Sequence, residues 1–160
     1  MDEDGLVRVR LTVPAPVQDV FAVLADGWSY TGWVVGASHI RAVDSGWPQV
    51  GTRIHHSVGP WPLTVDDSTE VRAADPPYSL ELDARLWPAG AAVVRLDLRE
   101  VGPRTTEVVM GERAVGGPGR ILPHAVQKLV LVPRNRESLV RLADMAVGRS
   151  RAAAPPRTGG

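Results

Sequence analysis

The sequence predicts an α+β protein, and three observations carry that reading. Alternating apolar and polar residues, the mark of a strand with one wet face, recur through most of residues 6–112. Apolar residues at helical spacing dominate two other stretches, one directly after the first strand and one after Arg120. The turns between the alternating stretches are short, which favours antiparallel neighbours.

In order, LVRVRLTV (6–13) sets Val7, Val9, Leu11 and Val13 on one face and Arg8, Arg10 and Thr12 on the other. PAPVQDVFAVLAD (14–26) then spaces Val17, Val20, Phe21 and Leu24 as a helix, with prolines at its entrance where helices accept them. GWSYTGWVVG (27–36) shows no clear period and reads as a loop or short helix. SHIRAVDSG, TRIHHSVG, LTVDDSTEVRAAD, YSLELDARLW, AVVRLDLRE and TEVVMGE follow as strands separated by GWPQVG, GPWP, DPP, PAGA and VGPRT. Tyr78, Leu80, Leu82, Ala84 and Leu86 are expected inward on one strand; Val94, Leu96 and Leu98 on the next; Thr106, Val108, Met110 and Glu112 on the last. GGPG (116–119) ends the strands, and a long helix over about 120–147 carries the stripe Leu139, Leu142, Ala143 and Ala146. Pro133 predicts a kink or break near Val132. Arg134, Arg136 and Arg141 read as a solvated helix face.

The chain's 160 residues suit one domain, expected over 1–148, with the proline-rich 149–160 as a disordered tail. Lys+Arg and Asp+Glu are 18 each, so no overall basic field exists to recruit nucleic acid. The absence of cysteine excludes disulfides, thiolate catalysis and Cys-based zinc sites, and fits a cytoplasmic location. MDEDGLVRVR lacks the pattern of a signal peptide, and no apolar run reaches the roughly 18 residues of a membrane span.

The arrangement resembles the START-like, or SRPBCC, superfamily with its helix-grip fold, in the polyketide cyclase/dehydrase-like branch. RLTVPAPVQDVFAVLAD with WSYTGW, EVRAADPPYSLELDA, VRLDLREVGPRTTEVVMGE and NRESLVRLADMA carry the resemblance. It implies a seven-stranded curved antiparallel sheet wrapped around the long C-terminal helix, in the order β, α, short α, six β, α, with an apolar cavity between sheet and helix. It carries over no catalytic residue and no cofactor. The composition agrees with a cavity: one Phe and two Tyr leave inward strand positions mostly Val, Leu, Ala and Thr, while Trp28, Trp33, Trp47, Trp61 and Trp87 stand mainly in loops and turns. The expected lining is Trp28, Tyr30 and Trp33 from the loop, with Leu129 from the helix. From the strands it takes Ile54, His56, Val58, Val65, Asp67, Thr69, Leu82, Leu96, Val108 and Met110.

Within TRIHHSV, neighbouring side chains point to opposite faces, so His56 joins Ile54 and Val58 inside while His55 turns to solvent. Adjacent histidines on one strand therefore do not chelate one metal, and no metal site is expected. His56 is either a core imidazole hydrogen-bonded to a neighbour or a cavity group that orients a ligand or moves a proton. Asp67 and Glu112 share predicted inward faces; a buried carboxylate needs a partner or a function. Counting outward from Pro60-Trp61 sets His56 opposite Val65 or Asp66, within one residue of Asp67. Three functions stay open: binding of a small apolar or aromatic molecule; a cyclase or dehydratase using His56, with Asp67 or Glu112, for proton transfer; and an interaction protein with a filled core, dimeric through a Trp-rich rim. A monomer or homodimer is expected.

Overall fold

The computed structural model describes residues 5–37, 39–58, 65–86 and 90–155, with the backbone alone at Val58 and Leu86. The alternating stretches become β1 (Val7–Val13), β2 (His39–Val43), β3 (Arg53–Val58), β4 (Val65–Asp75), β5 (Ser79–Leu86), β6 (Gly90–Gly102) and β7 (Thr105–Gly116). They form one antiparallel seven-stranded sheet in the order β1-β7-β6-β5-β4-β3-β2. The two strands earliest in the chain are thus its two edges. α1 (Val17–Ala25) and α2 (Tyr30–Trp33) carry the chain from one edge to the other, and every later strand adds beside its predecessor. The architecture is α+β, an open antiparallel sheet with α3 (His124–Ala152) as its long C-terminal helix.

The period-two pattern works because one face of the sheet meets the helices. Leu80, Leu82, Leu96, Val108 and Met110 are buried, together with Val17, Val20 and Leu24 of α1 and Leu139, Leu142 and Ala146 of α3. The opposite face is charged: Arg53 pairs with Glu70, Arg95 with Asp97 and Arg99 with Glu107 across neighbouring or alternate positions. Such exposed pairs add little stability, about 0–1 kcal/mol each, but keep that face wet. At the start of β6, Gly90 is required: its φ is +113°, and a Cβ there would run into the carbonyl of Gly116 on the adjoining strand.

The elements depart from the sequence reading at several points. Tyr78 is exposed, because it completes the turn after β4 with its N–H on the Asp75 carbonyl (2.7 Å), and inward alternation starts at Leu80. β2 is shorter than its sequence segment, spanning only His39–Val43. α3 continues through Pro133. The ring removes the bond to the Leu129 carbonyl, but Leu129 is exposed, so water can satisfy that oxygen. α3 also extends past the expected start of the tail at residue 149 to Ala152. That last turn is anchored: Ser150 is buried and accepts from Arg104 Nη2 at 2.6 Å, and Arg149 lies 3.6 Å from Asp26. Residues 156–160, Trp61, Trp87 and the GPWP turn lie outside the described residues.

Candidate functional site

Two polar arrangements interrupt the apolar face of the sheet. The first rests on β7. Glu112 continues the inward Val108, Met110 series and is 1% exposed. A carboxylate at that depth needs a cation, and α3 supplies one. Arg134 Nη1 donates to both oxygens of Glu112, at 3.0 and 2.8 Å. The same guanidinium donates from Nε to the Val35 carbonyl at 3.0 Å and from Nη1 to Asn135 Oδ1 at 3.3 Å. The pair therefore ties β7, α3 and the segment after α2 together. Asn135 is fully buried, and its Nδ2 has no partner among the described residues.

The second arrangement centres on Thr69 of β4, which is fully buried. Its Oγ1 lies 3.1 Å from the Tyr30 hydroxyl and 3.1 Å from His56 Nε2. A hydroxyl accepts twice and donates once, so it can serve both. The Tyr30 ring stacks over the His56 ring with centroids 6.0 Å apart, and Trp33 meets Tyr30 edge-on at 5.5 Å. Burial holds the His56 pKa below the ordinary histidine range, although Asp67, its Cα partner across the ladder, pulls the other way. Burial likewise raises the Tyr30 pKa. His56 is thus a neutral imidazole at neutral pH. Its Nδ1 is buried without a hydrogen-bond partner among the described residues. His55, on the other face, binds Asp44 at 2.9 Å, and that bond lowers the Asp44 pKa. Among the described residues no group of three or more His, Asp or Glu converges as a metal site would require.

A cleft of about 130 Å³ opens between the β6–β7 end of the sheet and the first half of α3. Gly90, Ala91, Ala92 and Ala114 form its sheet side, and Gly119, Leu122, Gln127, Val130 and Leu131 its helix side. Glu112 is the charged group in this otherwise apolar lining, apart from the amide of Gln127. Small residues on β6 and β7 create the space, since alanine and glycine leave the gap between sheet and helix unfilled. A larger depression of about 290 Å³ lies among Arg53, Glu70, Asp83 and Arg85 on the charged side of the sheet. Its walls suit water better than an apolar molecule.

No family model matches the chain, and no curated protein matches it. Solved structures do. The chain is similar to a conserved protein of Geobacillus kaustophilus, with 14% identity, 88% of this chain and 94% of that chain covered, and a TM-score of 0.65. It is similar to the Zhui aromatase/cyclase of Streptomyces sp. R1128, at 17% identity over 97% of this chain and 98% of that one, TM-score 0.61. It is also similar to Ara h 8.0201, at 16% identity over 89% and 97%, TM-score 0.61. The chain has the helix-grip fold. At such identities the likeness is one of fold.

Within this helix-grip the cavity-lining residues expected from the sequence fall into four groups. Tyr30, Trp33, Ile54, His56, Thr69, Leu82, Leu96, Val108 and Met110 are buried, while Val65 and Asp67 are half-buried. The register sets His56 opposite Asp67, one residue beyond the sequence count. Trp28 and Leu129 are exposed, at 61% and 76%. Trp28 sits in the turn capped by Asp26 and faces out, and Leu129 lies on the side of α3 away from the sheet. Val58's side chain lies outside the described residues. The 130 Å³ cleft uses none of these positions; of the residues singled out in the sequence only Glu112 lines it. Arg134, assigned from sequence to a solvated face, is instead the partner of Glu112. Helical spacing carried the signal: Arg134 stands one turn before buried Ser138 and two before buried Leu142.

Proposed function

We propose that the protein binds a small apolar or aromatic molecule in the cleft between the β6–β7 end of the sheet and α3. One observation carries this reading: an apolar hollow of about 130 Å³ with one oriented ion pair at its edge. A closed apolar cavity of about 150 Å³ suffices for benzene. This cleft is open on one side, so a molecule with one ring inside and the remainder outside fits it. Glu112 and the Gln127 amide offer polar contacts that would fix orientation. The lack of cysteine supports a cytoplasmic setting for this role.

An enzymatic role is the second reading, favoured by buried, neutral His56, whose Nδ1 has no partner among the described residues, and by the likeness to an aromatase/cyclase. The binding reading ranks above it because Glu112, the acidic group at the cleft, is already held by Arg134. A thermal-shift screen of small aromatic and apolar compounds tests the binding reading. A ligand at 100 times its dissociation constant stabilises by about 2.7 kcal/mol. Ala114→Trp, which fills the cleft, should abolish that gain. Stabilisation unaffected by Ala114→Trp would rule the cleft out, and a His56→Ala variant that binds normally but loses turnover would favour the enzyme.

A further inference from the structure

The first half of α3 is amphipathic the wrong way round. On a helix of 3.6 residues per turn, Ala125, Val126, Val132 and Pro133 fall within about 60° of Leu129. That side points away from the sheet, and all of these residues are exposed, Leu129 at 76%. The turn before α3 adds Ile121 at 84% and Leu122 at 44%. Two residues of the region, Leu122 and Val130, are exposed and also line the cleft, so the apolar surface runs into the cleft mouth. An apolar helix face left uncovered marks an interaction site rather than a fold requirement.

The charge around it selects the partner. From Arg113 to Arg136 the chain contains no Asp or Glu. Arg134 is engaged by Glu112, but Arg120, Lys128 and Arg136 are exposed around the apolar strip. A second copy docking on this face would bring identical basic rims together with no carboxylate from the segment to offset them. An anionic surface would meet both features at once. We propose that this end of the molecule docks on an anionic lipid bilayer surface, with Ile121, Leu122 and Leu129 entering the interface and Arg120, Lys128 and Arg136 facing the headgroups. No helix among the described residues is long and apolar enough to cross a membrane, so the contact is peripheral. It goes beyond the ligand reading and does not depend on it.

Co-sedimentation of the full chain with vesicles tests this, using phosphatidylcholine alone and phosphatidylcholine mixed with phosphatidylglycerol. The expected result is binding to the mixed vesicles, weak binding to the neutral ones, and release by salt. Lys128→Glu should weaken binding about fivefold or more, the worth of one basic residue near the surface. Leu129→Glu should abolish it while leaving the melting temperature unchanged, since the side chain is already in water. Failure to bind mixed vesicles, or binding undiminished in Leu129→Glu, overturns the proposal. So does a dimer in analytical ultracentrifugation that Leu129→Glu dissociates, which would assign the face to a second copy.

Discussion

Replacing Arg134 with Met keeps the aliphatic stem and deletes the charge that faces Glu112. Glu112 is 1% exposed and receives both of its charge-assisted bonds from the one nitrogen, at 3.0 and 2.8 Å. Breaking a buried pair costs roughly 3–5 kcal/mol, because the remaining charge stays desolvated without compensation. Here the low end applies. Arg134's side chain is 21% exposed and Glu112 borders an open cleft, so water reaches part of the orphan carboxylate. Loss of the Nε bond to the Val35 carbonyl adds about 1 kcal/mol. The single variant should thus lose about 4 kcal/mol, a large share of a typical domain's stability. Changing Glu112 to Leu as well removes the orphan charge, and the double variant should recover about 2 kcal/mol of that loss. Urea denaturation with linear extrapolation, at constant m, measures both. A cost below about 1 kcal/mol for Arg134→Met, or a double variant no more stable than the single, would refute the reasoning.

Further outcomes follow from the same geometry. Burial keeps folded His56 from taking a proton that the unfolded chain binds near pH 6.5, so stability must fall as pH drops below about 6.5, by at most ~1.4 kcal/mol per unit. Urea melts at about pH 7.5 and about pH 5 should show a smaller acid loss in His56→Gln than in the unaltered protein. Thr69→Val removes the shared partner of Tyr30 and His56 at nearly constant volume, and should cost about 2 kcal/mol or more in the same assay. Gly90→Ala should lower the melting temperature through a cost of at least about 1 kcal/mol, because alanine meets both the φ of +113° and the Gly116 carbonyl.

Much of this architecture was readable before any coordinates. The strands alternate clearly, and that alternation fixed the opposite fates of His55 and His56 by pleat alone. The inward position of Glu112 was readable for the same reason. Its partner was harder to see, because Arg134 stands close to Arg136 and Arg141, and helical spacing had to outweigh a run of similar charges. The Tyr30 ring over His56 was not readable: GWSYTGW has no period, and its placement comes from tertiary packing. Leu129 went the other way: it was expected to line a cavity, yet it is exposed, and the buried stripe of α3 begins only at Asn135 and Ser138. Composition reports that a segment is apolar; whether the domain itself covers it depends on where the sheet ends.

The central claim is that a small apolar molecule occupies the hollow beside Glu112. Amide chemical-shift mapping during titration with a naphthalene-like compound tests it most directly. Binding there requires saturable shifts concentrated at Gly90, Ala92, Ala114 and Leu131, the walls of that hollow. Shifts gathered instead around the outer-face residues Arg53, Glu70 and Asp83, or none at saturating compound, would contradict it.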